Sequence, residues 1–144
     1  MLALHRDSNS PLFQSGLALA ASADIHLAAA YCANESSSAK LNEDGMILCF
    51  DGFIGHNVPI DLIGKLNDGG MFVVRSPGGY GMVAMKMADV LMARNATVII
   101  RDYCLSACAN YLLVATSRTY VLKDALVAWH RAGHPAMRVS ATLK

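Results

Sequence analysis

The 144-residue sequence predicts one α/β domain with mostly parallel strands. Three observations carry that expectation. Short apolar runs alternate with amphipathic segments between residues 46 and 129. Turns rich in glycine separate several of them. Hydrophobic residues make up 54% of the chain and charged residues 16%, a balance that buries a core and excludes a disordered chain.

Met46-Ile-Leu-Cys-Phe50, closed by Asp51-Gly52, reads as the first strand. Pro59 to Leu66 carries Ile60, Leu62, Ile63 and Leu66, the pattern of a short helix with one buried face. Asn67-Asp-Gly-Gly70 stops it. Met71 to Val74 is a second strand and runs into Ser76-Pro77-Gly78-Gly79. From Tyr80 to Arg94 the apolar residues Val83, Met87, Val90 and Leu91 fall on one helical face. Thr97 to Ile100 is a third strand, and Ser106 to Ala115 reads as a buried helix of small and apolar residues. Thr119 to Leu122 and Leu126 to Trp129 are two further strands, split by a turn at Lys123-Asp124. The order is β-α-β-α-β-α-β-β.

Residues 1–40 read as a signal-like leader and linker, with the folded domain at 41–144. Gly16 to Ala33 is rich in Ala and Leu and follows Arg6. Ala28 and Ala30 fit an A-x-A cleavage pattern, as in a secretory signal. Asp24 and His26 interrupt the apolar stretch, and an Asp there costs a membrane-spanning helix roughly 2.5–3.5 kcal/mol. A soluble helix and a membrane anchor are the alternatives. The formal net charge of +1, with no basic block, argues against nucleic acid or an anionic membrane as the main partner. Cys32, Cys49, Cys104 and Cys108 include no C-x-x-C pair and do not spell a disulfide framework or a zinc ribbon. Nothing in the sequence points to a metal or an organic cofactor.

The candidate chemistry lies in three places. Gly78 and Gly79 stand between a strand and a helix, where backbone N–H groups can face a ligand because no Cβ blocks the approach. The loop lacks the G-K-[ST] of a phosphate loop. Ser106 follows a strand and opens a helix, where developing negative charge is favoured; helix capping is its alternative role. His130 closes the strand from Leu126 to Trp129; a structural histidine is the alternative. Gly79 lies 27 residues before Ser106, and His130 lies 24 after it. An oxyanion turn, a nucleophile and a base in this order suit acyl transfer. His5, His26, His56 and His134 are weaker candidates by their context in leader, turn or loop.

From Gly45 to Gly133 the chain resembles the Clp-type (ClpP-like) serine protease fold, a branch of the crotonase-like superfamily, and most of all its small predicted periplasmic members. Asp51-Gly52-Phe53-Ile54, Val73-Val-Arg-Ser-Pro-Gly-Gly79, Ser106-Ala107 and Val127-Ala-Trp-His130 carry the resemblance. It implies a repeated β-β-α/βαβ superhelix, C-terminally incomplete in this chain. It implies a serine hydrolase, most simply a peptidase, with Ser106 as nucleophile, His130 as general base and an oxyanion hole from Gly78, Gly79 and Ala107. The family's triad also uses a carboxylate well after the histidine. The stretch RAGHPAMRVSATLK after His130 has none, which leaves the third acid unknown, with Asp124 the nearest acid in sequence. A misoriented histidine costs on the order of 10⁴ in kcat.

Cys104 and Cys108 flank the serine at two residues on either side. They read as buried thiols or, in an oxidising compartment, as a disulfide that pins the nucleophile turn; a Cys–His protease is a further alternative. The implied partner is a peptide or protein substrate, with homo-oligomerisation and membrane association through residues 16–33 as options. The implied location is periplasmic or secreted, against membrane-anchored or cytoplasmic. Competing functions are an inactive or truncated interaction domain on the same fold and a crotonase-type acyl-CoA enzyme. A Ser–Lys pair using Lys123 is a further arrangement.

Overall fold

Alternate residues of three apolar runs face opposite sides of one sheet, and both sides are covered. The computed structural model describes residues 23–130. Helix α1 covers residues 23–33. It is followed by β1 (Ala39–Leu41), β2 (Ile47–Asp51), α2 (Ile60–Ile63), β3 (Met71–Ser76), α3 (Gly81–Ala93) and β4 (Thr97–Leu105). A five-residue π-helical turn, Cys108–Leu112, leads to β5 (Arg118–Val121) and β6 (Leu126–Ala128). The six-stranded sheet has the order β1-β2-β3-β4-β5, with β6 also paired to β4. β1 is antiparallel to β2, and every other pair is parallel. The fold is therefore α/β with a mostly parallel sheet.

On one face Leu48, Phe50, Phe72, Val74, Val98 and Ile100 pack against Ile63, Met87, Leu91 and Leu112. On the other, Cys49, Val73 and Ile99 meet Ile25, Ala28 and Cys32 of α1. Each fully buried Leu, Ile or Phe contributes about 1.5–3 kcal/mol. The period of two makes any one-residue slip expose both sets, so register is strongly fixed.

The segment expected as leader and linker is thus part of the described fold from residue 23 onward. Ile25, Ala28 and Cys32 form a stripe at helical spacing, while Asp24 and His26 face solvent. Asp24 and His26, which interrupt the apolar stretch, lie on the exposed face of this helix. A disulfide between Cys32 and Cys49 ties α1 to β2, and β1 pairs with β2 ahead of the expected start at Leu41. Among the described residues no helix is long and apolar enough to cross a membrane. Residues 16–22 of the apolar stretch lie outside the described residues.

β4 runs five residues past the expected Ile100. Val74 pairs with Ile100 and Ser76 with Cys104, so Arg101, Asp102 and Tyr103 bulge opposite Arg75. Asp102 takes φ +59° there. Arg75 binds Asp51 through two bonds, Nε to Oδ1 at 3.0 Å and Nη2 to Oδ2 at 2.6 Å. Arg101 joins Asp51 at 3.2 Å and Asp102 at 2.9 Å. The network ties the ends of β2, β3 and β4 where their loops leave toward the candidate site. The bulge also divides one edge of β4 between two partners. β5 pairs with Thr97–Ile100 and β6 with Tyr103–Leu105.

Candidate active site

Ser76, at the end of β3, is fully buried, and its Oγ accepts the Gly78 N–H at 3.0 Å. This bond folds the loop back on itself, with Gly78 at φ +96° and Gly79 at φ +152°. Ile54 brackets the turn from the other side. Its N–H donates to Gly78 O and its carbonyl accepts from Tyr80 N–H, both at 2.8 Å. Neither glycine tolerates a side chain. A Cβ on Gly78 would lie 2.5 Å from Leu105 O, and one on Gly79 would lie 2.1 Å from Ile54 O.

The Gly78 N–H, an expected oxyanion donor, donates to Ser76 Oγ. The Gly79 and Ala107 N–H groups donate to no described residue. Gly78 bridges the two turns, since its Cβ position is 2.7 Å from Ser106 Cβ and 3.0 Å from Ala107 N.

Ser106 sits at φ +56°, a region that costs a non-glycine residue about 1–3 kcal/mol. It is a sharp elbow between β4 and the π-helical turn, not the first residue of a ten-residue helix. Its N–H donates to Ala128 O at 2.9 Å, and its carbonyl accepts from Asn110 N–H at 2.8 Å. The Cys104–Cys108 disulfide closes around it, with the two Cα atoms 5.3 Å apart. All four cysteines are therefore paired in two disulfides, against the expectation that they form no such framework. Disulfide formation leaves no thiol to act as a nucleophile.

β6 delivers the histidine. Parallel pairing with Tyr103–Leu105 carries the chain past Ser106, so His130 Nε2 lies 2.6 Å from Ser106 Oγ. In the tautomer protonated at Nδ1, Nε2 accepts the serine proton. Trp129 Nε1 donates to Ala109 O at 3.1 Å, and Asn110 Nδ2 donates to His130 O at 3.1 Å. The π-helical turn thus grips the strand end on both sides of the histidine. Such turns recur at functional sites.

Ser106 and His130 come together, and Gly78, with Gly79 next to it in the chain, packs against Ser106 and Ala107. Asp124 and Lys123 do not join them. They occupy the turn before β6, and that strand runs away from them toward Ser106. His26 lies on α1, and His56 stacks on Tyr80 at 4.8 Å between ring centres. His5 and His134 lie outside the described residues. Among the described residues no group of three His, Cys, Asp or Glu side chains is placed to hold a metal ion.

Sequence reading missed Asn110, whose signal is a lone amide inside the apolar run from Cys104 to Ala115. It also missed a cavity of about 500 Å³ beside the glycine loop, lined by Asp51, Phe53, His56, Val58, Pro59 and Tyr80 among others. Phe53 meets Tyr80 edge-on, with ring centres 5.6 Å apart. Ser106 and His130 are not in its lining; Tyr80, next to Gly79, connects the two regions. No family model matches the chain, and no curated protein matches it.

Proposed function

We propose that the protein is a serine hydrolase acting on peptides, with Ser106 as nucleophile and His130 as general base. The observation that carries this reading is the 2.6 Å contact between Ser106 Oγ and His130 Nε2, made where the glycine loop packs through Gly78 against Ser106 and Ala107. Ser106 Oγ attacks the scissile carbonyl as His130 takes its proton. The carbonyl oxygen becomes an oxyanion and accepts from Gly79 and Ala107. His130 then protonates the leaving amine, and water releases the acyl group by the reverse sequence. The cavity beside Tyr80 receives an apolar or aromatic side chain of the substrate, in keeping with its exposed rings.

The same reading takes the parallel strands, each leaving into a loop at the site, as part of a Clp-type β-β-α superhelix. It also takes the protein as periplasmic or secreted. Two disulfides support an oxidising compartment. The test is release of p-nitrophenol from an activated ester, together with cleavage of fluorogenic peptides bearing aromatic residues. Turnover that falls at least 10³-fold in both Ser106→Ala and His130→Ala is the expected result. Equal turnover in the folded variants would refute the assignment.

A further inference from the structure

The geometry points to the Cys104–Cys108 disulfide as the positioning device of the nucleophile, so that the hydrolase reaches its full rate only with this bond formed. This inference rests on the function proposed above. In a continuing strand the Cα atoms of residues four apart would stand roughly 13 Å apart. Here they stand 5.3 Å apart, and the whole reversal falls in Leu105, Ser106 and Ala107. Those three residues include the nucleophile and one of the two oxyanion N–H donors. Ser106 holds a left-handed φ of +56° that a serine does not favour by itself. Cys104 is fixed from one side by the sheet, pairing with Ser76 of β3 and Val127 of β6. Cys108 opens the π-helical turn whose Asn110 holds the carbonyls of no less than Ser106 and His130. The cross-link therefore joins the element that anchors the glycine loop to the element that anchors the histidine, with the serine between them.

The second disulfide is the internal control. Cys32–Cys49 ties α1 to β2 on the sheet face opposite the π-helical turn and touches none of these residues. A dithiol reductant acts by thiol–disulfide exchange: it gives up two electrons and two protons, becomes a cyclic disulfide, and leaves Cys104 and Cys108 as thiols.

The experiment uses the full chain carrying Cys32→Ala and Cys49→Ala, so that one disulfide remains. The protein is reduced with dithiothreitol, and reduction is read by mass after alkylation of a sample. It is then reoxidised with oxidised glutathione. Circular dichroism follows the fold, and a fluorophosphonate probe follows the serine over a range of probe concentrations. We expect the limiting inactivation rate to fall at least tenfold on reduction and to return on reoxidation, with the half-saturating probe concentration unchanged. Equal limiting rates in the two folded states would overturn the inference while leaving the hydrolase reading intact. Oxidised protein that never labels defeats the hydrolase reading instead. Hydrogen exchange at the Asn110 amide, which donates to Ser106 O, then decides the positioning role alone. A rise of tenfold or more on reduction supports it, and an unchanged rate refutes it.

Discussion

Replacing Gly79 with Ala puts a methyl carbon 2.1 Å from Ile54 O, 2.8 Å from Ile54 C and 2.9 Å from Ile54 N. All three atoms are backbone, so no side chain can swing aside. Ordinary contact requires the loop or Ile54 to move by about 1 Å, and a shift of that size at a reacting centre costs on the order of 10²-fold in rate. That is about 2.7 kcal/mol of transition-state stabilisation. The Gly79 N–H survives the substitution, so the loss comes from misplacement of a donor. Gly69→Ala separates this from the general penalty of an unfavourable backbone. Gly69 also has a positive φ, +75°, but a Cβ there meets nothing within 4 Å. It precedes β3, roughly 20 Å from the strand end that carries the glycine loop. Gly69→Ala should lower stability by about 1 kcal/mol, or roughly 4 °C in Tm, and leave fluorophosphonate inactivation unchanged. Gly79→Ala should slow inactivation about 10²-fold at a temperature where circular dichroism shows both variants folded. A folded Gly79→Ala protein that reacts like wild type would refute the assignment of this loop to the oxyanion hole.

Asn110→Ala removes the side-chain bond to His130 O, worth about 0.5–1.5 kcal/mol, and should slow probe inactivation by about tenfold, since one tenfold step is about 1.4 kcal/mol. An unchanged rate would show that the Asn110 side chain does not align the histidine. Asp51 is held below the ordinary aspartate range by its hydrogen bonds from Arg75, against the opposing effect of burial. A carboxylate whose pKa falls on folding stabilises the fold above its unfolded pKa, and that stabilisation is lost as pH drops through the folded value. Thermal melts below about pH 4 should therefore fall more steeply for wild type than for Asp51→Asn; parallel curves would remove the network from the acid response. Cys32→Ala with Cys49→Ala opens a cross-link between residues 17 apart in sequence and should cost about 3 kcal/mol on the chain-entropy estimate. Probe reactivity of the protein that remains folded should be unchanged, and a matching loss of reactivity would tie α1 to the site.

Much of the sheet was legible because its central strands are uninterrupted apolar runs. Met71–Val74 and Thr97–Ile100 needed only composition and turn signals. The strand ends were not legible. Arg75, Arg101 and Asp102 fall just past the expected strand ends, yet each charge is answered by another at the sheet's edge. The stretch from Ser106 to Ala115 has helical composition, but a left-handed serine and a disulfide break its first turn. Residues 23–33 look like a leader by Ala and Leu content alone; the stripe Ile25, Ala28, Cys32 separates the two readings only when paired with an apolar sheet face. Cys32–Cys49 and the Ser76 contact with Gly78 depend on tertiary placement and side-chain direction, which spacing does not encode. Order and spacing paired Ser106 with His130, and their side chains do meet at 2.6 Å, because each follows a strand that the parallel sheet brings to the same edge.

The most direct test of the account is intact-mass analysis of the protein after reaction with a fluorophosphonate. The expected result is a single adduct on Ser106, absent in Ser106→Ala and formed at least 10³-fold more slowly in His130→Ala. An adduct that persists in folded Ser106→Ala, or no adduct on folded, disulfide-bonded wild type, would contradict it.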